Sequence, residues 1–283
     1  MNIGIVGLGL IGGTYAKCLR KYPYKIYGID IDQDTLDYAL KNDIIDYGTS
    51  SAKDVLKEID VLFLCLYPDA TKKFIQQNAR YIKQDAVVSD VVGIKRNIIA
   101  SLDIYNQDHF EIVFGHPIAG REKIGIKHSD EAIFHDANFV ITPIESNSEE
   151  ALNLIEVLAR QMGFKNVSRI SDFAHDEIIA FTSQLTHSIA ISLVNSDEEK
   201  YDTSLFIGDS YKDLTRIAMI NHELWTELFL KNRDNLLKQI KLFEQNLDTL
   251  KDALEAKDVP KLHQIMQSAT NKRKRIKWWI SHK

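Results

Sequence analysis

Cysteine is nearly absent from the chain. Cys18 and Cys65 are its only thiols among 283 residues, each set among apolar neighbours. Two isolated thiols exclude a disulfide framework and cannot supply a four-ligand zinc site. No metal is therefore expected, and the thiols read as reduced and cytoplasmic. Proline is scarce as well, at five residues, and no Pro-rich or Gly/Ser-rich stretch marks a flexible linker. Long hydrophobic runs near the start are missing. The uncharged stretch 3–16 is too short to cross a bilayer, is broken by Gly4, Gly7, Gly9, Gly12 and Gly13, and follows no basic region. A membrane anchor or export signal is not expected. Nor is there an excess of positive charge. The formal net charge is −5, which argues against nucleic acid as a partner. Six of the cations fall within 271–283 (NKRKRIKWWISHK), leaving −11 on the remainder. That tail, with Trp278 and Trp279, reads as a final helix whose cations suit its C-terminal dipole.

What is present is a globular balance, 45% apolar and 27% charged, in a chain long enough to bury a core without covalent staples. The first 170 residues alternate short apolar runs with helical patterns. The strand candidates are 3–6, 25–30, 61–66, 86–90, 112–115 and 139–142, several of them continuously apolar as in parallel strands covered on both faces. Helical spacing lies between them, as at 33–41. From about residue 171 the strand signal stops, and 172–195, 212–219, 222–257 and 259–280 carry apolar residues three and four apart. The expected fold is α/β: a Rossmann-type doubly wound parallel sheet in 1–170, followed by an all-helical domain in 171–283.

The first strand runs into Gly7-Leu8-Gly9-Leu10-Ile11-Gly12, which opens a helix. Strand, glycine turn and helix in that order make a dinucleotide fingerprint. Gly7 permits the turn, Gly9 admits a pyrophosphate, and Gly12 lets helix and strand pack closely. The N-terminal turn at Leu10 and Ile11 faces the phosphates. Asp30 ends the second strand eighteen residues after Gly12, where an acid accepts ribose hydroxyls. With Asp32 behind it and no Arg or Lys between, NAD is favoured over NADP. Asp32 itself suits the N-cap of the next helix.

Catalytic candidates follow the fifth strand and the start of the helical part. His116, in Gly115-His116-Pro117-Ile118-Ala119-Gly120-Arg121-Glu122, lies at the carboxyl end of a predicted strand, where ligands of open parallel sheets bind. It can serve as a base for a substrate hydroxyl while hydride leaves the same carbon, or merely hydrogen-bond in a turn. His175-Asp176 precedes Thr182-Ser183-Gln184-Leu185-Thr186-His187; Asp176 and His187, eleven residues apart, can share a helix face. Arg216, in Lys212-Asp213-Leu214-Thr215-Arg216-Ile217-Ala218, carries a planar fork suited to a carboxylate, with Trp225 nine residues on. A surface salt bridge or a buried polar contact would explain each of these singly.

Together these motifs resemble the prephenate/arogenate dehydrogenase family of tyrosine biosynthesis. The carriers are GLGLIGG, HPIAGRE, HDE with TSQLTH, and KDLTRIA with Trp225, spanning more than two thirds of the chain. The resemblance implies an NAD-dependent oxidative decarboxylation of prephenate to 4-hydroxyphenylpyruvate, or of arogenate to tyrosine, by a cytoplasmic homodimer. It implies His116 as catalytic base and Arg216 as the anchor of a substrate carboxylate. His187, Asp176, Trp225, Gln184 and Arg121 would belong to the substrate pocket. Three departures stand out. Gly93, in Ser89-Asp90-Val91-Val92-Gly93-Ile94-Lys95, occupies the place of a frequent serine beside histidine and cofactor. Gln184 replaces a frequent histidine, and Arg121 a frequent threonine. The missing hydroxyl at Gly93 is what would favour a non-catalytic NAD-binding sensor. A β-hydroxyacid dehydrogenase is disfavoured, since no Lys occurs between Asp172 and Asn195. Only 58 residues follow Trp225 and they read as helices, so a stand-alone dehydrogenase is expected, with tyrosine inhibiting at the active site.

Overall fold

The computed structural model describes residues 1–107, 109–120 and 123–281, with the backbone alone at 106, 107 and 277–281. The chain falls into two compact units, Met1–Arg233 and Asp234–Lys283.

The first unit is built on one eight-stranded sheet ordered β3-β2-β1-β4-β5-β6-β7-β8. The strands are β1 (Asn2–Val6), β2 (Lys25–Ile29), β3 (Tyr47–Thr49), β4 (Val61–Leu64), β5 (Val87–Asp90), β6 (Glu111–Ile118), β7 (Asn138–Thr142) and β8 (Asn166–Arg169). All six expected strands form; β3 and β8 escaped the sequence pattern. Tyr-Gly-Thr is too short to show a period, and β8, with its exposed Ser168 and Arg169, has no apolar run. The first six strands are parallel to one another, whereas β6 and β7 pair antiparallel. The sheet is thus parallel-dominated, as expected, with one antiparallel pair between β6 and β7.

Helices α1 (Leu10–Leu19), α2 (Gln33–Lys41), α3 (Pro68–Asn78), α4 (Arg96–Leu102) and α5 (Glu149–Gln161) accompany the sheet. Local chemistry sets several of their starts. The Asp32 side chain accepts from Asp34 N at the head of α2, Pro68 opens α3, and Ser148 caps α5 ahead of Glu149 and Glu150. Two apolar clusters form the core. One joins Ile3, Ile5, Tyr15, Phe63, Phe134 and Phe139; the other joins Val6, Leu62, Val88, Ile94 and Phe114. Alternate residues of β1, β4 and β5 therefore point into different clusters, which is why these strands read as unbroken apolar runs.

Beyond the sheet come α6 (Asp172–Ile179), a π-helical turn (Ala180–Gln184), α7 (Leu185–Asn195), α8 (Asp209–Thr215), a 3₁₀ turn (Arg216–Ala218) and α9 (His222–Lys231). The stretch Asp172–Asn195 is long and apolar enough to cross a membrane by length and composition. It also carries His175, Asp176 and Gln184 in buried polar bonds, described below. The helix expected over 222–257 breaks at Asn232, where α9 ends and α10 (Arg233–Glu255) begins.

The second unit holds the rest of α10 and α11 (Val259–Ser281). They are joined by a turn in which Lys257 has φ 52° and Asp258 Oδ1 accepts from Lys261 N at 2.9 Å. Leu237, Leu247, Leu254, Val259 and Met266 are exposed on these helices. The side chains of Trp278 and Trp279 lie outside the described residues.

Candidate active site

The glycine turn works by leaving side chains out. Gly7 has φ +84°, and a Cβ there would lie 2.6 Å from the Cys65 carbonyl oxygen. A Cβ on Gly12 would sit 1.9 Å from the Gly7 carbonyl oxygen. Gly9 is the opposite case: a Cβ would meet nothing within 4 Å, so the space above the turn is open. Helix α1 starts there with no side-chain cap, and its first N–H groups, from Leu10 onward, suit an anion. Asp30 stands beside the turn, Oδ2 accepting from Leu8 N at 2.7 Å and Oδ1 from Asp32 N at 3.0 Å. Each carboxylate oxygen keeps a lone pair for a sugar hydroxyl. The open cradle over Gly9 and the acid at the end of β2 fit an adenine dinucleotide.

His116 lies within β6 rather than after it, opposite Val140 of β7. The reason is that β6 changes partners: residues 111–113 pair with β5, and 114–118 pair with β7. Past Val113, β5 has run out, and Gly115 would face a gap. Buried side chains fill it. Asp90 Oδ1 accepts from Gly115 N at 3.1 Å, and the Lys95 ammonium donates to the Gly115 carbonyl. Lys95 also pairs with Asp90 Oδ2 at 2.7 Å, both side chains being 0% exposed. An ion pair so continues the ladder next to His116. Pro117, of the same strand parity as Gly115, has no N–H and so needs no acceptor on that side. Burial pushes the Lys95 ammonium down, against the pull of Asp90.

Among the described residues the imidazole of His116 is bonded on one side only: its Nδ1 lies 2.8 Å from Nε2 of His175. Nδ1 of His175 lies 2.8 Å from Oδ1 of Asp176. Asp176 in turn accepts from Lys95 N at 2.7 Å through Oδ1 and from Arg96 N at 3.0 Å through Oδ2. His175 and Asp176 are each 2% exposed. Burial above all, with the electrostatic influence of neighbouring His175 and Lys95, holds His116 well below the usual histidine range. Burial also lowers His175, against the hydrogen bond that its ring donates to Asp176. Gly93 borders the other ring nitrogen. A Cβ there would be 3.4 Å from His116 Nε2 and 3.7 Å from Leu228 Cδ2. The glycine leaves that face of the base uncovered.

The other expected residues form a second group. His187, on α7, donates from Nδ1 to the Ser183 carbonyl at 2.9 Å and lies against Trp225 of α9, ring centroids 3.7 Å apart and planes tilted by 33°. Arg216 is exposed, in the 3₁₀ turn that packs on α7. Gln184 does not line an opening. It is 1% exposed, its amide donating to the Leu228 carbonyl at 2.9 Å and accepting from Asn232 Nδ2 at 2.8 Å. Asn232 also donates to the Asp176 carbonyl at 2.9 Å. That network ties the end of α9, with Trp225 and Leu228, to α6. Asp176 likewise spends its carboxylate on protein donors. Arg121 lies outside the described residues. Sequence reasoning passed over His175, Asp90 and Lys95, although all three stand inside quoted motifs. Lysine is so seldom buried that composition alone gives no cue.

Comparison with known proteins bears on this arrangement. The sequence model for the prephenate dehydrogenase nucleotide-binding domain matches residues 15–168, and that for the prephenate dehydrogenase dimerization domain matches 171–268. Prephenate dehydrogenase of Bacillus subtilis is 27% identical over 279 residues, covering 96% of this chain and 75% of that protein. The crystal structure of prephenate dehydrogenase from Aquifex aeolicus, in complex with hydroxyphenyl propionate and NAD+, is similar at 29% identity and a TM-score of 0.89, covering 98% of each chain. Synechocystis arogenate dehydrogenase is similar at 26% identity and a TM-score of 0.83, covering 98% of this chain and all of the other.

Proposed function

Since the chain belongs to the prephenate dehydrogenase family, we propose that this oxidoreductase is an NAD-dependent prephenate dehydrogenase, converting prephenate to 4-hydroxyphenylpyruvate and carbon dioxide. The observation that carries the reading is His116: a neutral imidazole on a rigid strand, with Nδ1 engaged and Nε2 uncovered beside Gly93. NAD, when bound, supplies the hydride acceptor. Gly7, Gly9, Leu10, Ile11 and Gly12 would hold its phosphates, Asp30 its ribose, and Gly93 would border it.

The chain's own residues have one proton to move. The ring hydroxyl gives its proton to His116 Nε2 as hydride leaves the same carbon. The bond to the ring carboxylate then breaks, carbon dioxide departs, and its electron pair completes the aromatic ring as a phenolate, to which His116 Nε2 returns the proton. That gain in aromaticity asks little further of the protein beyond positioning. Arg216 anchors a substrate carboxylate, with His187 and Trp225 forming a wall of the pocket. Asp176 and Gln184 act from behind this wall, as their buried bonds suggest. The functional division falls near residue 170, the helical part from 171 serving substrate and a homodimer. The exposed apolar residues of α10 and α11 suit such a partner. The enzyme is cytoplasmic, and tyrosine competes at the active site.

Likeness to an arogenate dehydrogenase supports a second reading, in which arogenate is the substrate; the two differ only in keto against amino on the side chain. The test is NADH formation by the purified protein with NAD or NADP crossed against prephenate and arogenate. Turnover with NAD and prephenate is expected. Turnover with arogenate alone would transfer the assignment, and NAD binding without turnover on either would leave a sensor.

A further inference from the structure

A base is only as good as the nitrogen that carries its lone pair, and neutral histidine has two choices. At this site the choice is made two residues away. Asp176 has its carboxylate oxygens turned to donors: two backbone N–H groups, of Lys95 and Arg96, and Nδ1 of His175. A carboxylate so placed accepts, so His175 carries its proton on Nδ1 and presents a lone pair at Nε2. That lone pair faces Nδ1 of His116 at 2.8 Å and requires a proton there. The lone pair of His116 is thereby left at Nε2, on the side where Gly93 offers no side chain.

From this geometry we propose that His175, held by Asp176, is a positioning residue that fixes the reactive tautomer of His116 and steadies the imidazolium formed when His116 takes the substrate proton. The inference rests on the reading of His116 as the base. The charged and titratable groups facing the pair are Asp176 on α6, with Asp90 and Lys95 from the end of β5 and the segment after it. Of these only Asp176 bonds the His175 ring, so the relay is a single line: carboxylate, imidazole, imidazole. It differs from a packing role in one respect, that it dictates where protons sit.

The decisive measurement is the ¹⁵N spectrum of histidine-labelled protein at neutral pH, without substrate. His116 and His175 are both expected as Nδ1–H tautomers. An Nε2–H tautomer at His116 overturns the relay, whatever the kinetics show. Steady-state rates complete the test. His175→Leu is expected to lower kcat by about 10²-fold or more, with KM for NAD unchanged. In the same variant the His116 spectrum should shift toward a tautomer mixture. His175→Gln can still offer an oxygen to His116 Nδ1 and is expected to recover at least tenfold of that loss. Equal kcat and equal acid limbs in wild type and His175→Leu would overturn the proposal. Failure of the wild type to turn over either substrate would remove the reading of His116, while the tautomer spectrum would still decide the relay.

Discussion

The two halves of the candidate site are built by opposite means. The nucleotide turn is made of omissions: Gly7, Gly9 and Gly12 are there because a Cβ would strike backbone or fill the cradle. The base, some strands away, is made of additions, with Asp90, Lys95, Asp176, His175 and His116 joined in one buried polar chain. A site defined by space tolerates no added atom. A site defined by pairing tolerates no lost partner.

Removing a partner should have the largest effect. Lys95→Met leaves Asp90 buried without its counter-ion and strips the Gly115 carbonyl of a donor. A loss of about 3–5 kcal/mol is expected in denaturant unfolding. A loss under about 1 kcal/mol, the scale of a surface pair, would show that the pair is not what holds β6 in place.

Adding an atom should cost less and separate two glycines. Gly12→Ala drives a Cβ against the Gly7 carbonyl, so stability is expected to fall by about 1–3 kcal/mol, with NAD affinity falling too. Gly9→Ala meets nothing in the protein. It should stay within about 0.5 kcal/mol of wild type and weaken NAD binding alone. Calorimetric titration and unfolding curves on both variants check the contrast. A Gly9→Ala variant with unaltered NAD affinity would remove the cradle.

The smallest effect is in pH. His116 and His175 are both lowered in the folded protein. Below the ordinary histidine range near 6.5 the unfolded chain takes up protons that the native state refuses. Stability is therefore full above that range and declines as pH falls from about 6.5 toward the depressed native values. The acid limb of kcat/KM should lie below 6.5 for the same reason. Unfolding midpoints that stay flat between about pH 7 and 5 after correction for carboxylates, in a His116→Asn/His175→Asn comparison, would contradict this.

How much of this was legible in sequence follows the same division. Omissions show: glycine spacing after an apolar run gave the turn, and Asp30 followed from its distance. The six main strands showed as apolar runs. Pairings do not show. Nothing in Asp90 to Lys95 says that β5 ends before β6 does and that an ion pair continues the ladder. Only the resemblance puts Gln184 in the pocket, at the place of a frequent histidine, whereas the break at Asn232 creates the partner that takes it inside. The π-helical turn at Ala180–Gln184 also lies within the stretch where an ideal 3.6-residue period would set Asp176 and His187 on one face.

The switch of β6 from β5 to β7 has a consequence for how preference among substrates can drift. His116 is borne on a strand whose backbone is laddered to Val140 and its neighbours, so replacing side chains on α7 or α9 leaves the base where it is. His187, Trp225 and Leu228 stand on those helices, tied back through amide contacts rather than a sheet. With the roles proposed for His116 and for these helix residues, recognition of a keto or an amino side chain can therefore be rewritten on the helices without disturbing the strand that carries His116.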